Sequence, residues 1–207
     1  MALESAVSLL GNMSEDNELE ILFGVDSDDT DTINVLTTVP RSKMLISKPR
    51  GYKNLHKYMN DLCAISSGDW LFLWNDDAYM KTYHWDKLIE PYTGQMVEVD
   101  FKTNHAKNRY IFCIVPRKYY ELVGHFSLCA NNDTWIMEVF EPLRLRRKVN
   151  GFILHDRYDL TGNNNDVNFQ QQRKFLDVFR SKEMVEARKK DLEIVKGYIK
   201  RNSKIKE

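Results

Sequence analysis

The sequence predicts an α/β domain: a mostly parallel sheet flanked by helices, followed by a C-terminal helical extension. Three observations carry this. Short, almost fully apolar runs such as Asp69–Trp74 (DWLFLW) alternate with segments of helical periodicity, the pattern of strands buried on both faces by covering helices. The chain has 207 residues, 43% of them hydrophobic and 29% charged, enough for a core without disulfide or metal staples. No internal repeat, low-complexity tract or Pro/Gly/Ser linker interrupts it, so residues 1–165 read as one domain and residues 166–207 as a charged helical extension.

Taken in order, Ala2–Leu10 reads as a helix. Glu18–Val25 (ELEILFGV) is a strand that delivers Asp26, and Lys43–Ser47 is a second strand closed by Pro49 and Gly51. Leu55, Tyr58, Met59, Leu62 and Ile65 recur at i, i+3, i+4 and i+7, which predicts an amphipathic helix over 53–66 with Gly68 as its stop. Asp69–Trp74 is a strand running into Asn75-Asp76-Asp77. Trp85–Glu90 reads as one or two helical turns, Met96–Phe101 and Tyr110–Val115 as strands, and Arg117–Val123 as a helix ended by Gly124. Asp133–Phe140 is a helix, Phe152–Leu154 a short strand ending at His155, and 169–200 one or two helices lying on the domain or on a partner.

Composition narrows the function classes. Lys and Arg total 30, as do Asp and Glu, and a net charge of zero argues against a protein whose main work is coating nucleic acid. The zero is a cancellation: residues 1–100 carry 17 acidic against 8 basic residues, and residues 171–207 carry 6 against 12. The basic tail reads as a solvated amphipathic helix, with peripheral contact to an anionic membrane surface as the second reading. No apolar run approaches the ~18 residues of a membrane span. Cys63, Cys113 and Cys129 have no metal-ligand spacing and read as buried thiols in a reducing, cytoplasmic compartment. GxSxG, GxxxxGK[ST] and GxGxxG are all absent, which removes the common hydrolase, P-loop and dinucleotide-binding readings.

The acidic residues are clustered, in DSDDTD at 26–31 and NDD at 75–77, and both clusters follow apolar strands. Ligands of parallel α/β sheets bind beyond the carboxyl ends of the strands, and paired carboxylates there can hold a hard divalent cation through oxygen ligands. A bare Asn-Asp-Asp turn is the alternative. The first cluster is not a helix–loop–helix calcium loop. Counted from Asp26, its sixth and twelfth positions are Asp31 and Thr37, where Gly and Glu are required. Two readings of it remain, a carboxylate facing a nucleotide or simple capping of the next helix by Asp28–Asp31. Asp133 reads as an N-cap on its own merits, and His155 as a satisfied core or edge histidine ahead of a ligand. His56, His84, His105 and His125 show no mutual spacing that argues for zinc.

The run YKNLHKYMNDLCAISSGDWLFLWNDDAYM (52–80) resembles the centre of a GT-A glycosyltransferase of the family 2 type. There a helix carrying an Asn, here Asn60, is followed by Gly-(Asp/Glu)-aromatic, here Gly68-Asp69-Trp70, an apolar strand and an acidic DxD-like motif, here Asn75-Asp76-Asp77. EILFGVDSDDTDT (20–32), PRKYYELVGHFS (116–127), NNDTWI (131–136) and FILHDRYDLTG (152–162) resemble further family segments in the same order. The resemblance spans roughly residues 2–162. It implies a GT-A, Rossmann-like sheet and a metal-dependent, hexosyltransferase-like enzyme. Such an enzyme moves a sugar from a nucleotide-diphosphate sugar to an acceptor hydroxyl on a glycan, lipid or protein, with inversion. Asp77 would hold Mn²⁺ or Mg²⁺ with His155 as a supplementary ligand. Asp26, Asp28, Asn54 and Asp76 would contact the donor, and Asp133 would be the general base. The family opens with an apolar strand ahead of its first helix, whereas this sequence begins at a segment resembling that helix. The implied sheet therefore lacks its usual first strand, leaving apolar surface and unpaired backbone groups unless another segment fills the gap. A non-catalytic nucleotide-sugar or glycan binding protein with a degenerate GT-A fold is the alternative function. A two-metal nuclease ranks behind both, because the acidic amino-terminal part offers no groove for a polyanion.

Overall fold

The computed structural model describes residues 1–105, 111–165, 170–171 and 176–203. Helix α1 (Ala2–Gly11) leads into β1 (Ile21–Asp26), which pairs in parallel with β2 (Ser42–Ser47), Ile21 opposite Ser42 through Asp26 opposite Ser47. A parallel pair needs a crossover, and α2 (Thr30–Leu36) supplies it. Asp29 caps α2, its Oδ1 accepting the Thr32 N–H at 3.1 Å.

The second sheet has the order β3 (Trp70–Phe72), β6 (Ile114–Pro116), β5 (Glu98–Thr103), β7 (Arg146–His155), β4 (Ala78–Met80). Only β5 and β7 run parallel. The pairs β3–β6, β5–β6 and β4–β7 are antiparallel. The architecture is therefore mixed α/β, and the mostly parallel sheet expected from the sequence is corrected to a mixed one. The reason is physical: an apolar run reports burial on both faces, not the direction of the neighbouring strand. β3 and β4 lie at opposite edges, yet residues 73–77 alone join them. Part of that link is a turn, the Ala78 N–H bonding the Asn75 carbonyl at 3.2 Å, so the remaining chain cannot span the ~19 Å across four strand spacings and the sheet curls.

A 3₁₀ turn (Tyr52–Asn54) opens α3 (Leu55–Ile65). The helix ends where Ser66 turns extended (ψ 155°) and its hydroxyl bonds the Cys63 carbonyl at 2.9 Å, so Gly68 is not its cap. α4 (Arg117–Val123) does end at its glycine, Gly124 at φ 82°, whose N–H reaches the Tyr120 carbonyl at 2.8 Å. A left-handed residue costs glycine little. Two 3₁₀ turns (Trp85–Leu88 and Glu90–Tyr92), α5 (Asn132–Phe140), α6 (Tyr158–Thr161), α7 (Leu176–Arg180) and α8 (Lys182–Ser203) complete the described chain. The strand expected over Tyr110–Val115 falls partly on residues 106–110, and the helix expected over 169–200 partly on 169 and 172–175, which lie outside the described residues. β7 is far longer than the expected Phe152–Leu154.

Three cores result. Leu71, Leu73, Tyr119, Trp135, Phe140, Phe179 and Val195 fill the space between one sheet face and the helices. Met80, Trp85, Val99, Phe112 and Ile153 pack on the other face. Ala6, Ile21, Val25, Leu36 and Val39 join α1 to the small sheet. The charged carboxyl-terminal helix lies on the domain: Val195 is fully buried, and the Trp135 indole N–H donates to Asp191 at 2.9 Å. All three cysteines are buried thiols. Among the described residues no helix is long and apolar enough to cross a membrane.

Candidate functional site

One large cavity, about 2380 Å³, runs along β1 and β3, includes their carboxyl ends and brings together most of the residues singled out in the sequence. Asp26, Asp28, Asp76, Asp77, Asp133 and His155 all line it; Asn54 does not. Asn54 instead donates its side-chain amide to the Arg50 carbonyl at 2.8 Å, closing the turn that starts α3.

Asp26 ends β1. Its Oδ1 accepts a short hydrogen bond from the Tyr58 hydroxyl, which in turn accepts from Ser47 at 3.0 Å. Burial and the bond to Asp26 raise Tyr58 above the ordinary phenol range, so it remains a donor. The Arg50 guanidinium lies 4.6 Å from the Tyr58 ring centre and pairs with Asp61 at 2.7 Å, fixing the ring from behind. Asp28 is exposed beside this assembly, and of the following acidic residues Asp29 does the capping.

Asn75-Asp76-Asp77 forms the turn between β3 and β4, held from α1. The Trp74 indole donates to the Ser5 hydroxyl at 2.7 Å, and that hydroxyl donates to the Asn75 carbonyl at 3.1 Å. Asp76 is exposed. Asp77 is largely buried, and its Oδ1 lies 3.1 Å from His155 Nε2 but out of line for a hydrogen bond. A buried carboxylate oxygen without a hydrogen bond is uncommon. His155, at the end of β7, is 1% exposed. The neighbouring Asn104 brackets its backbone, accepting the His155 N–H at 2.9 Å and donating to its carbonyl at 2.9 Å. His155 Nδ1 meets His105 Nε2 at 3.2 Å, and its Nε2 lies beside both Asp77 Oδ1 at 3.1 Å and the Asn75 side-chain amide at 3.5 Å.

This pair fits a divalent cation. Two ligands at about 2.1 Å on one ion, at right angles, stand about 3 Å apart, and the orphaned Asp77 oxygen is an acceptor in want of a positive partner. Asp77 and His155 would hold the ion. Among the described residues no group of three or more His, Cys, Asp or Glu side chains converges there, so the remaining ligands of such an ion would come from water or from a bound phosphate.

Asp133 sits at the start of α5. Burial raises its carboxyl above the ordinary range, and the Thr134 backbone N–H and hydroxyl, with Arg157 more distant, oppose that rise. The loop that delivers it is pinned from α3. Asn60 donates to the Ser127 carbonyl at 2.8 Å and accepts the Phe126 N–H at 2.7 Å, while the Ser127 hydroxyl makes a short bond to Asn132. Tyr52 is pushed up to about 12 by burial and then by the charge of Asp133, and it shares the cavity with Arg157, whose guanidinium forks onto Asp159 at 2.6 and 2.8 Å. Tyr52 and Asn104 carry no signal in the sequence, His105 is set aside there for want of zinc spacing, and Arg157 reads only as part of a polar rim beside His155. For His105 the only local signal was its place just past a strand. No protein-family model and no curated protein matches the chain.

Proposed function

We propose that this protein is a metal-dependent glycosyltransferase that moves a sugar from a nucleotide-diphosphate sugar to an acceptor hydroxyl with inversion. The observation that carries the reading is the Asp77–His155 pair, with its orphaned carboxylate oxygen, on the wall of a cavity that Asp26 and Asp133 also line. Asp26, held by Tyr58, and Asp28 take the nucleoside end of the donor as hydrogen-bond acceptors. Asp76 contacts the ribose or shares the ion with Asp77. A bound Mn²⁺ or Mg²⁺ supplies a Lewis acid that neutralises charge on the departing diphosphate. Asp133 takes the proton from the acceptor hydroxyl, and its raised affinity for a proton suits a general base better than an ordinary surface carboxylate. Arg157 offers positive charge near Asp133, and Asp159 keeps its fork oriented.

The test is release of nucleoside diphosphate from a panel of sugar nucleotides with Mn²⁺, for the wild type, Asp77→Ala and Asp133→Asn. Loss of the base should lower turnover by about 10²–10⁴-fold while leaving thermal stabilisation by nucleoside diphosphate intact. For the wild type, the acid limb of the pH profile should lie above the ordinary carboxylate range, because Asp133 must lose its proton to act and holds it more tightly than usual. Equal turnover by wild type and Asp77→Ala would overturn the metal assignment. Stabilisation by the donor without any turnover would overturn the enzymatic reading in favour of a binding protein.

A further inference from the structure

β2 pairs with β1 on one side, and among the described residues no strand covers its other edge. The ladder fixes which backbone groups face that edge. The Ile21 N–H bonds the Arg41 carbonyl at 3.1 Å, and the Ser27 N–H bonds the Ser47 carbonyl at 2.7 Å. In a parallel pair every second residue turns both of its backbone groups to the same neighbour. The register runs unbroken from Ile21 opposite Ser42 to Asp26 opposite Ser47. Arg41, Lys43, Leu45 and Ser47 therefore face β1, and Ser42, Met44 and Ile46 turn their N–H and C=O groups outward.

The outer edge is unguarded. Exposed edges are ordinarily blunted by proline, a bulge or charge, whereas Ser42–Ser47 (SKMLIS) has no proline, an unbroken register and a single charged residue. That residue, Lys43, is tied to Glu20 at 2.6 Å. The middle of the strand is apolar, and Ile46 is 48% exposed. An open row of donors and acceptors on such a strand is a template for another strand.

The strand is complementary to itself. In an antiparallel pair of two copies with the two-fold axis at Leu45, Met44 stands opposite Ile46 of the partner subunit and exchanges both hydrogen bonds with it. Leu45 meets the partner's Leu45 as a pair without hydrogen bonds, which suits a residue whose backbone groups already serve β1. Lys43 falls opposite the partner's Ser47, and Ser42 opposite the partner's Lys48, so no like charges stand directly across the pair. A slip of one residue would set outward groups against groups already bonded to β1.

We propose that the free edge of β2 is a homodimer interface, in which two copies join antiparallel through Met44–Ile46 and fuse their two-stranded sheets into one of four strands. The pairing is isologous, so it occupies both free edges and closes. One short edge per copy buries little area, and the dimer is accordingly weak, on the order of micromolar or weaker. The inference does not rest on the glycosyltransferase reading.

The experiment uses the full chain from about 1 μM to about 1 mM, the range in which a weak dimer forms. Sedimentation should show reversible dimerisation. Amide exchange at Met44 and Ile46 should slow at least about 10-fold with concentration, while Lys43 and Leu45, already bonded to β1, change far less. Ile46→Pro deletes an outward N–H and no bond to β1, a change that edge strands tolerate, and should leave the chain monomeric. Leu45→Cys should cross-link two copies under mild oxidation, because Cα atoms paired there stand about 4.5 Å apart, within disulfide reach. The native cysteines are all buried. Lys43→Cys should not cross-link, since its two copies lie roughly 14 Å apart along the strands. The cross-linking pair stands whether or not Ile46→Pro folds. Four results would each overturn the inference: a monomer at every concentration, which would leave the edge to a foreign strand; a dimer whose Met44 and Ile46 amides exchange as in the monomer; undiminished dimerisation of a folded Ile46→Pro; or equal cross-linking of Leu45→Cys and Lys43→Cys.

Discussion

Replacing Asp100 with Asn should flatten the dependence of stability on pH. Asp100 is 1% exposed on β5, and neither of its carboxylate oxygens accepts a hydrogen bond. The groups facing it are Glu98, fully buried two residues before it on the same strand, and Arg146 across on β7, which bonds Glu98 at 2.5 Å and stands 3.6 Å from Asp100. Lys148 is a weaker positive influence, and Glu141 reaches the same guanidinium at 3.5 Å. One guanidinium cannot compensate two buried carboxylates, so burial first and Glu98 second push Asp100 up to about 8, from an ordinary value of 3.8. The sign follows from linkage. Between these two values the native state holds a proton that the unfolded chain has released, so stability is highest at the acidic end and falls as pH rises toward 8. About four units at ~1.4 kcal/mol each set an upper limit on the order of 5 kcal/mol. Asn is close in shape to the protonated side chain and carries no charge to lose. Urea unfolding of wild type and Asp100→Asn at several pH values from 5 to 8.5 measures this. The wild type should lose several kcal/mol across the window, whereas the variant should lose much less and be the more stable protein at pH 8.5. Parallel curves for the two proteins would refute the argument.

Two further substitutions probe the packing that frames the site. Gly151 lies in β7 where an added Cβ would stand 2.4 Å from the Phe101 ring and 3.1 Å from Leu88. Gly151→Ala should therefore cost about 1–3 kcal/mol by overpacking, read as a lower midpoint in denaturant with an unchanged slope. Arg188 of α8 is 5% exposed, bonds Glu138 at 2.6 Å and the Phe179 carbonyl at 3.0 Å, and lies 3.9 Å from the Phe179 ring centre. Arg188→Met keeps volume but strands that carbonyl and should cost about 1–3 kcal/mol, with amide exchange accelerating in Lys182–Ser203 before the rest of the chain.

What was legible in the sequence, and what was not, divides along one physical line. Local rules hold at several places, the stop expected at Gly68 excepted: α4 ends at Gly124 because a left-handed residue is needed there, and apolar runs deliver Asp26 and the Asn75–Asp77 turn to the same cavity. Strand direction escaped because it is set by partners, and burial on both faces is common to parallel and curled mixed sheets. β7 was read as three residues because its first half, RRKVNG, carries three basic side chains and looks like an exposed loop. Arg146 is in fact drawn inside by Glu98 and Asp100, themselves polar residues on a strand that patterning alone would turn outward. His105 is placed by the pairing of the two strands, β5 and β7. The β5–β7 register slips between Phe101 and Lys102, so that Thr103 comes opposite Ile153 and the residues after it lie beside His155. His105 thus reaches His155 only through that slip, and no spacing within the sequence encodes it. Asn54 stands apart from the other candidates: at a helix start its amide donates to the Arg50 carbonyl, and the residue does not line the cavity.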